Sequence, residues 1–104
     1  YLLWVGAALT TFQFFTRIRS IAEHGMLPRV ADMLKNTRTT EVRWWHRLTF
    51  APHHVNYHLE HHFLMAVPSY RLPQMHRLLK ERGVFEDAPL AHGYAEILRL
   101  ATTK

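Results

Sequence analysis

The chain has 104 residues, nine histidines, no cysteine and a formal net charge of +5 with histidine neutral. Without thiols there is no disulfide framework, thiolate zinc site or iron–sulfur cluster, so nitrogen and oxygen must hold any metal. The basic balance admits an anionic membrane surface or nucleic acid as partner. The chain has no established nucleic-acid motif and starts with an apolar stretch, which favours the membrane and argues against nucleic acid.

Tyr1–Thr16 carries no charge. Sixteen helical residues reach about 24 Å, less than the roughly 30 Å of a bilayer core. Together with a start at Tyr1 rather than methionine, this predicts the end of a transmembrane helix (residues 1–16) belonging to a larger polypeptide. Phe12, Phe14 and Phe15 followed by Arg17 and Arg19 mark an interface, and the arginines place it on the cytoplasmic side. A buried helix of a soluble domain is the alternative, because a run this short is ambiguous. No basic n-region or small-residue cleavage site suggests a signal peptide. Arg17–Gly25 is expected to continue the helix and end it at Gly25, with Pro28 just beyond. His24 then sits at a helix end, either favoured there by the helix dipole or serving as a ligand.

Residues 17–104 are expected to form a cytoplasmic helical part. A short helical piece is expected around Val30–Leu34, and Thr40 could cap a second that carries Trp44, Trp45 and His46. The tryptophans suit an interfacial anchor or a core pair equally. Thr49–Ala66 reads as one helix, with Thr49 as cap, Pro52 in its first turn and Pro68 beyond its end. At roughly 100° per residue, His54, His58, His61 and His62 share an arc of about 100°, while Asn56 and Glu60 point away. Imidazoles are poor core material, since each ring has a polar nitrogen needing a partner; a metal is the economical explanation. From Pro73 an amphipathic helix runs to Gly83, and could lie on a membrane or pack on the protein. A last short helix is expected near Tyr94–Ala101. His76 and His92, isolated from the cluster, read as ordinary histidines. The fold class is all-α.

Neutral imidazole suits zinc, copper, nickel and iron. A structural zinc site would usually use cysteine and close at four ligands. An excess of imidazoles beside a membrane better suits two metal ions sharing a site.

His58-Leu-Glu-His61-His62 has the HxxHH form of the third histidine box of the membrane fatty acid desaturases. The surrounding HVNYHLEHHFLMAVPSYRLPQMHRLL resembles the C-terminal part of bacterial members. RIRSIAEHG resembles the segment after their last membrane helix. The resemblance runs from about Phe15 to Gly83. It implies part of a non-haem di-iron oxygenase in a membrane, in bacteria the inner one. Such an enzyme uses O₂ and two electrons to place a double bond in an acyl chain carried by a lipid or thioester. A ferredoxin-type or cytochrome b5-type donor supplies the electrons. By the motif match His58, His61 and His62 are iron ligands, and His24 is the extra ligand between the last membrane helix and the third box. His54, Asn56 and Glu60 are expected to orient the ligating imidazoles.

The family's first two histidine boxes are not in this sequence, and His53 and His54 have the wrong spacing to replace them. The 104-residue chain alone is therefore expected to be inactive. Two other readings stay open. One is a sister di-iron hydroxylase or ketolase; the other is a non-enzymatic, histidine-rich metal-binding membrane module.

Overall fold

The computed structural model describes residues 1–103. Helix α1 (Leu2–Leu9) is entirely apolar and buries none of its residues. Helix α2 (Thr11–His24) follows after one distorted residue, Thr10. Thr10 Oγ1 donates to the Gly6 carbonyl at 2.6 Å and Thr11 Oγ1 to that of Ala7 at 3.3 Å. Such back-bonding by threonine bends helices, which accounts for the break in the expected uninterrupted run. Among the described residues no helix is long and apolar enough to cross a membrane. As expected, α2 ends at Gly25, whose N–H donates to the Ile21 carbonyl at 2.8 Å.

The chain then crosses the end of α2. The short helix falls at Met33–Asn36 (α3), later than expected, because the Asp32 side chain accepts from Leu34 N and caps it there. Thr40 does not cap a helix. It belongs to strand β1 (Thr39–Thr40), which pairs in parallel with β2 (Leu90–Ala91). The molecule is thus mostly helical, with one two-residue strand pair that the all-α expectation lacked. Trp44–Leu48 forms a 3₁₀ turn closed by Arg43 N donating to His46 Nδ1 at 3.1 Å. Trp44 is exposed and Trp45 stacks on His46, so the two tryptophans are not a core pair.

The expected helix over Thr49–Ala66 is not continuous. Pro52–His54 makes a 3₁₀ turn in which His53 (φ 52°) and His54 (φ 61°) are left-handed, a conformation that costs non-glycine residues energy. Helix α4 covers only His58–Phe63. Asn56 is the reason. Its carbonyl accepts from Thr40 N at 3.0 Å and its Nδ2 donates to the Thr40 carbonyl at 3.0 Å, so it serves β1 rather than a helix. After the 3₁₀ turn Ser69–Arg71, helix α5 (Leu72–Glu81) matches the amphipathic expectation and stops before Gly83 at φ 70°. Helix α6 (Tyr94–Thr102) packs on α2.

The core lies between these two helices. Ala22 offers no bulk, so α6 approaches closely with Tyr94 and Ile97; Ala51 and Ala91 close the cluster, flanked by Ile18, Val42, Phe50 and Val55. Phe50 links the elements, its ring 5.0 Å from Phe15 and 4.9 Å from Tyr94. This packing fixes the C-terminal half of α2 against α6, while α2 and α4 both contact β1.

Candidate metal centre

His24 is the last residue of α2, and His58 and His62 are one turn apart on α4. Residues four apart share a helix face. His58 Nε2 lies 2.9 Å from His24 Nε2 and 3.0 Å from His62 Nε2. The three side chains bring ligand atoms within 4.8 Å of one another.

Hydrogen bonding alone does not satisfy three converging Nε2 atoms. Each imidazole nitrogen carries either one proton or one lone pair, so His58 Nε2 cannot both donate to one neighbour and accept from the other. The far side of His24 selects its tautomer. Its Nδ1 lies 3.2 Å from the Asn36 carbonyl, which only accepts, so in the neutral ring Nδ1 carries the proton and Nε2 presents a lone pair to the cluster. His58 Nδ1 faces Glu23 Oε1 at 3.8 Å. Burial, then the neighbouring histidines and Arg19, push His58 down to about 3, and burial lowers His62 as well. Burial raises Glu23 against the pull of Arg19 and His24. Both partners of the Glu23–His58 approach are thus pushed toward neutrality, and it is not an ion pair.

Neutral imidazoles are the form that binds metal. Two nitrogens bound to one ion at about 2.0–2.1 Å stand roughly 2.9–3.4 Å apart, depending on the bond angle. The His24–His58 and His58–His62 separations fit that geometry, and the residues suit a first-row divalent cation such as iron.

The other expected site residues fall elsewhere. His61 is exposed, with its ring 6.3 Å from that of His58 and 5.8 Å from that of His62. With Arg19, Glu23, His53 and His58 it lines a cavity of about 350 Å³ whose wall is partly Val55, Val67 and Leu72. His54 is off the helical stripe; its Nδ1 is buried without a partner among the described residues, and its ring lies 6.2 Å from Tyr57. Asn56 contacts Thr40 and not a clustered imidazole. Glu60, fully buried, accepts from Thr39 Oγ1 and pairs with His76 Nδ1. None of His54, Asn56 and Glu60 hydrogen-bonds a clustered imidazole directly; the side chains of His24 and His58 face the Asn36 carbonyl and, at longer range, Glu23. His76, which is not one of the three clustered histidines, is the buried partner of Glu60. Glu23 carries no motif and was open to notice only as the neighbour of His24 and the i+4 partner of Arg19.

Comparison with curated proteins and with solved structures gave no significant match. The family model for fatty acid desaturases matches residues 1–94. That span holds α1 to α5 and every histidine of the cluster, and the chain belongs to the fatty acid desaturase family.

Proposed function

We propose that the chain carries the third histidine box of a membrane fatty acid desaturase, with His24, His58, His61 and His62 as iron ligands. The observation that carries this reading is the convergence of three Nε2 atoms from residues 34 and 4 positions apart. Iron bound there and to further histidine boxes outside this sequence would supply the redox chemistry: O₂, two electrons, two protons and two acyl-chain hydrogens become two waters and a carbon–carbon double bond. Neutral His58 and His62 hold lone pairs ready at working pH. Asn36 holds His24 in the tautomer that aims Nε2 inward. Val55, Val67 and Leu72 give the adjoining cavity an apolar wall that favours an alkyl chain over water. The substrate is an acyl lipid or thioester, and the donor is of ferredoxin or cytochrome b5 type. The protein sits in a membrane with this part on the cytoplasmic side.

The test uses the full-length protein that carries this sequence, purified with its iron and supplied with O₂ and a reducing donor. Mass spectrometry should show acyl product lighter by two hydrogens, and His58→Ala should lose both iron and product. Product heavier by one oxygen would make the enzyme a hydroxylase. Unchanged iron in His58→Ala would overturn the ligand assignment.

A further inference from the structure

Four consecutive polar residues, Thr37 to Thr40, are buried. Burying polar groups is unfavourable unless each has a partner, so their contacts show what the segment does. Arg38 turns to α2. Its backbone N–H donates to the Glu23 carbonyl at 2.9 Å, Nη1 to that of Ala22 at 3.3 Å and Nη2 to that of Gly25 at 3.2 Å. These three carbonyls bracket His24, and a guanidinium at a helix C-terminus also meets the negative end of its dipole. Thr39 turns to α4, where its Oγ1 donates to Glu60.

At roughly 100° per residue, Glu60 lies about 180° from the midpoint of His58 and His62. A helix of six residues has little power to set its own rotation. A carboxylate fixed on the opposite face by Thr39 and His76 sets it instead, and turns both imidazoles toward His24. His76 is itself held by stacking on Phe85, 5.3 Å between centroids.

We propose that Arg38 and Thr39 are positioning residues of the metal centre: adjacent in sequence where the chain enters β1, they clamp the end of α2 through Arg38 and the rotation of α4 through Thr39 and Glu60. The proposal rests on the metal-binding reading of His24, His58 and His62.

The test measures Fe²⁺ affinity by chelator competition, and the ligand-field spectrum of bound Co²⁺, in the full-length protein in detergent. The thermal midpoint of the metal-free form is recorded beside them. Thr39→Val, which keeps shape and loses the hydroxyl, should weaken metal binding about 10–100-fold and shift the cobalt bands. Thr39→Ser should restore both. Arg38→Lys cannot span two carbonyls with one planar group and should weaken binding similarly, carrying the test should Thr39→Val fail to fold. Ile97→Val, in the α2–α6 core but outside the clamp's hydrogen bonds, should lower the midpoint and weaken binding far less than the clamp variants. Wild-type affinity in the foldable clamp variant, or equal metal loss in Ile97→Val, would overturn the clamp. Wild-type affinity in His58→Ala would instead overturn the metal-binding reading beneath it.

Discussion

At the scale of single residues, the chain's histidines serve different ends according to what each ring nitrogen meets. His24 and His46 show the contrast. His24 Nδ1 donates to a carbonyl, leaving Nε2 free for a cation. His46 Nδ1 accepts from Arg43 N, so it is unprotonated and part of a turn. Burial, followed by the charge of Arg43, holds His46 below its usual range. The sign follows by linkage: the unfolded chain takes up the proton first as pH falls, so the stability from neutral His46 is complete above about 6.5 and declines below it. His46→Asn supplies an acceptor that does not titrate. Its urea midpoint should therefore fall less than the wild type's between pH 7 and pH 5. Equal losses would show that the turn tolerates an imidazolium. Nitrogen NMR of the metal-free protein should also report His24 as the Nδ1–H tautomer, and an Nε2–H signal would remove the argument for its inward lone pair.

At the scale of elements, two glycines that end helices should behave differently. A Cβ on Gly25 would sit 2.4 Å from the Ile21 carbonyl oxygen, a backbone atom that cannot step aside. Gly25→Ala should cost about 1–3 kcal/mol in denaturant unfolding and weaken metal binding, because relief must move the turn that carries His24. At Gly83 the obstacle is φ 70° and the movable Glu86 side chain. Gly83→Ala should cost about 1–2 kcal/mol with metal affinity unchanged. Unchanged metal affinity in Gly25→Ala would mean that His24 is held from elsewhere. The ends of α2 and α5 were legible in the sequence because a glycine marks a helix stop by a local, steric mechanism. The i, i+4 pair His58 and His62 was legible for a similar reason, since their shared face needs only one turn of helix. The straight helix through His54 was not, because Asn56 gives its carbonyl and amide to Thr40, a partner 16 residues away. A helical wheel also cannot show a carboxylate such as Glu60 being claimed by Thr39 and His76. What was hidden is the long-range polar pairing that overrides local propensity.

At the scale of the whole molecule, α1 and the part that follows it differ in kind. The helical part from α2 onward has a core and a dense set of polar contacts, whereas α1 buries nothing and exposes Leu2, Leu3, Trp4 and Leu9, with Phe12 and Phe14 continuing the surface into α2. A contiguous apolar surface of this kind marks a membrane or protein contact. The uncharged run followed by Arg17 and Arg19, unmatched by any acidic residue before Glu23, favours the membrane. Burying a leucine or phenylalanine side chain is worth about 1.5–3 kcal/mol. Replacing two of them by lysine should therefore cost roughly 3 kcal/mol or more of membrane affinity, on the order of a hundredfold in partitioning. In flotation with anionic phospholipid vesicles, the 104-residue chain should rise with the lipid, and the double variant Leu3→Lys, Phe12→Lys should stay behind. His58→Ala should float like the wild type, since the cluster lies beyond the other end of α2. Flotation of the lysine variant at the wild-type level would mean that the basic amphipathic helix α5, or the groove beside it lined by Phe63, Leu64, Met75 and Leu78, makes the contact instead. A wild-type chain that stays with the aqueous fraction would assign the apolar surface of α1 to contact with protein.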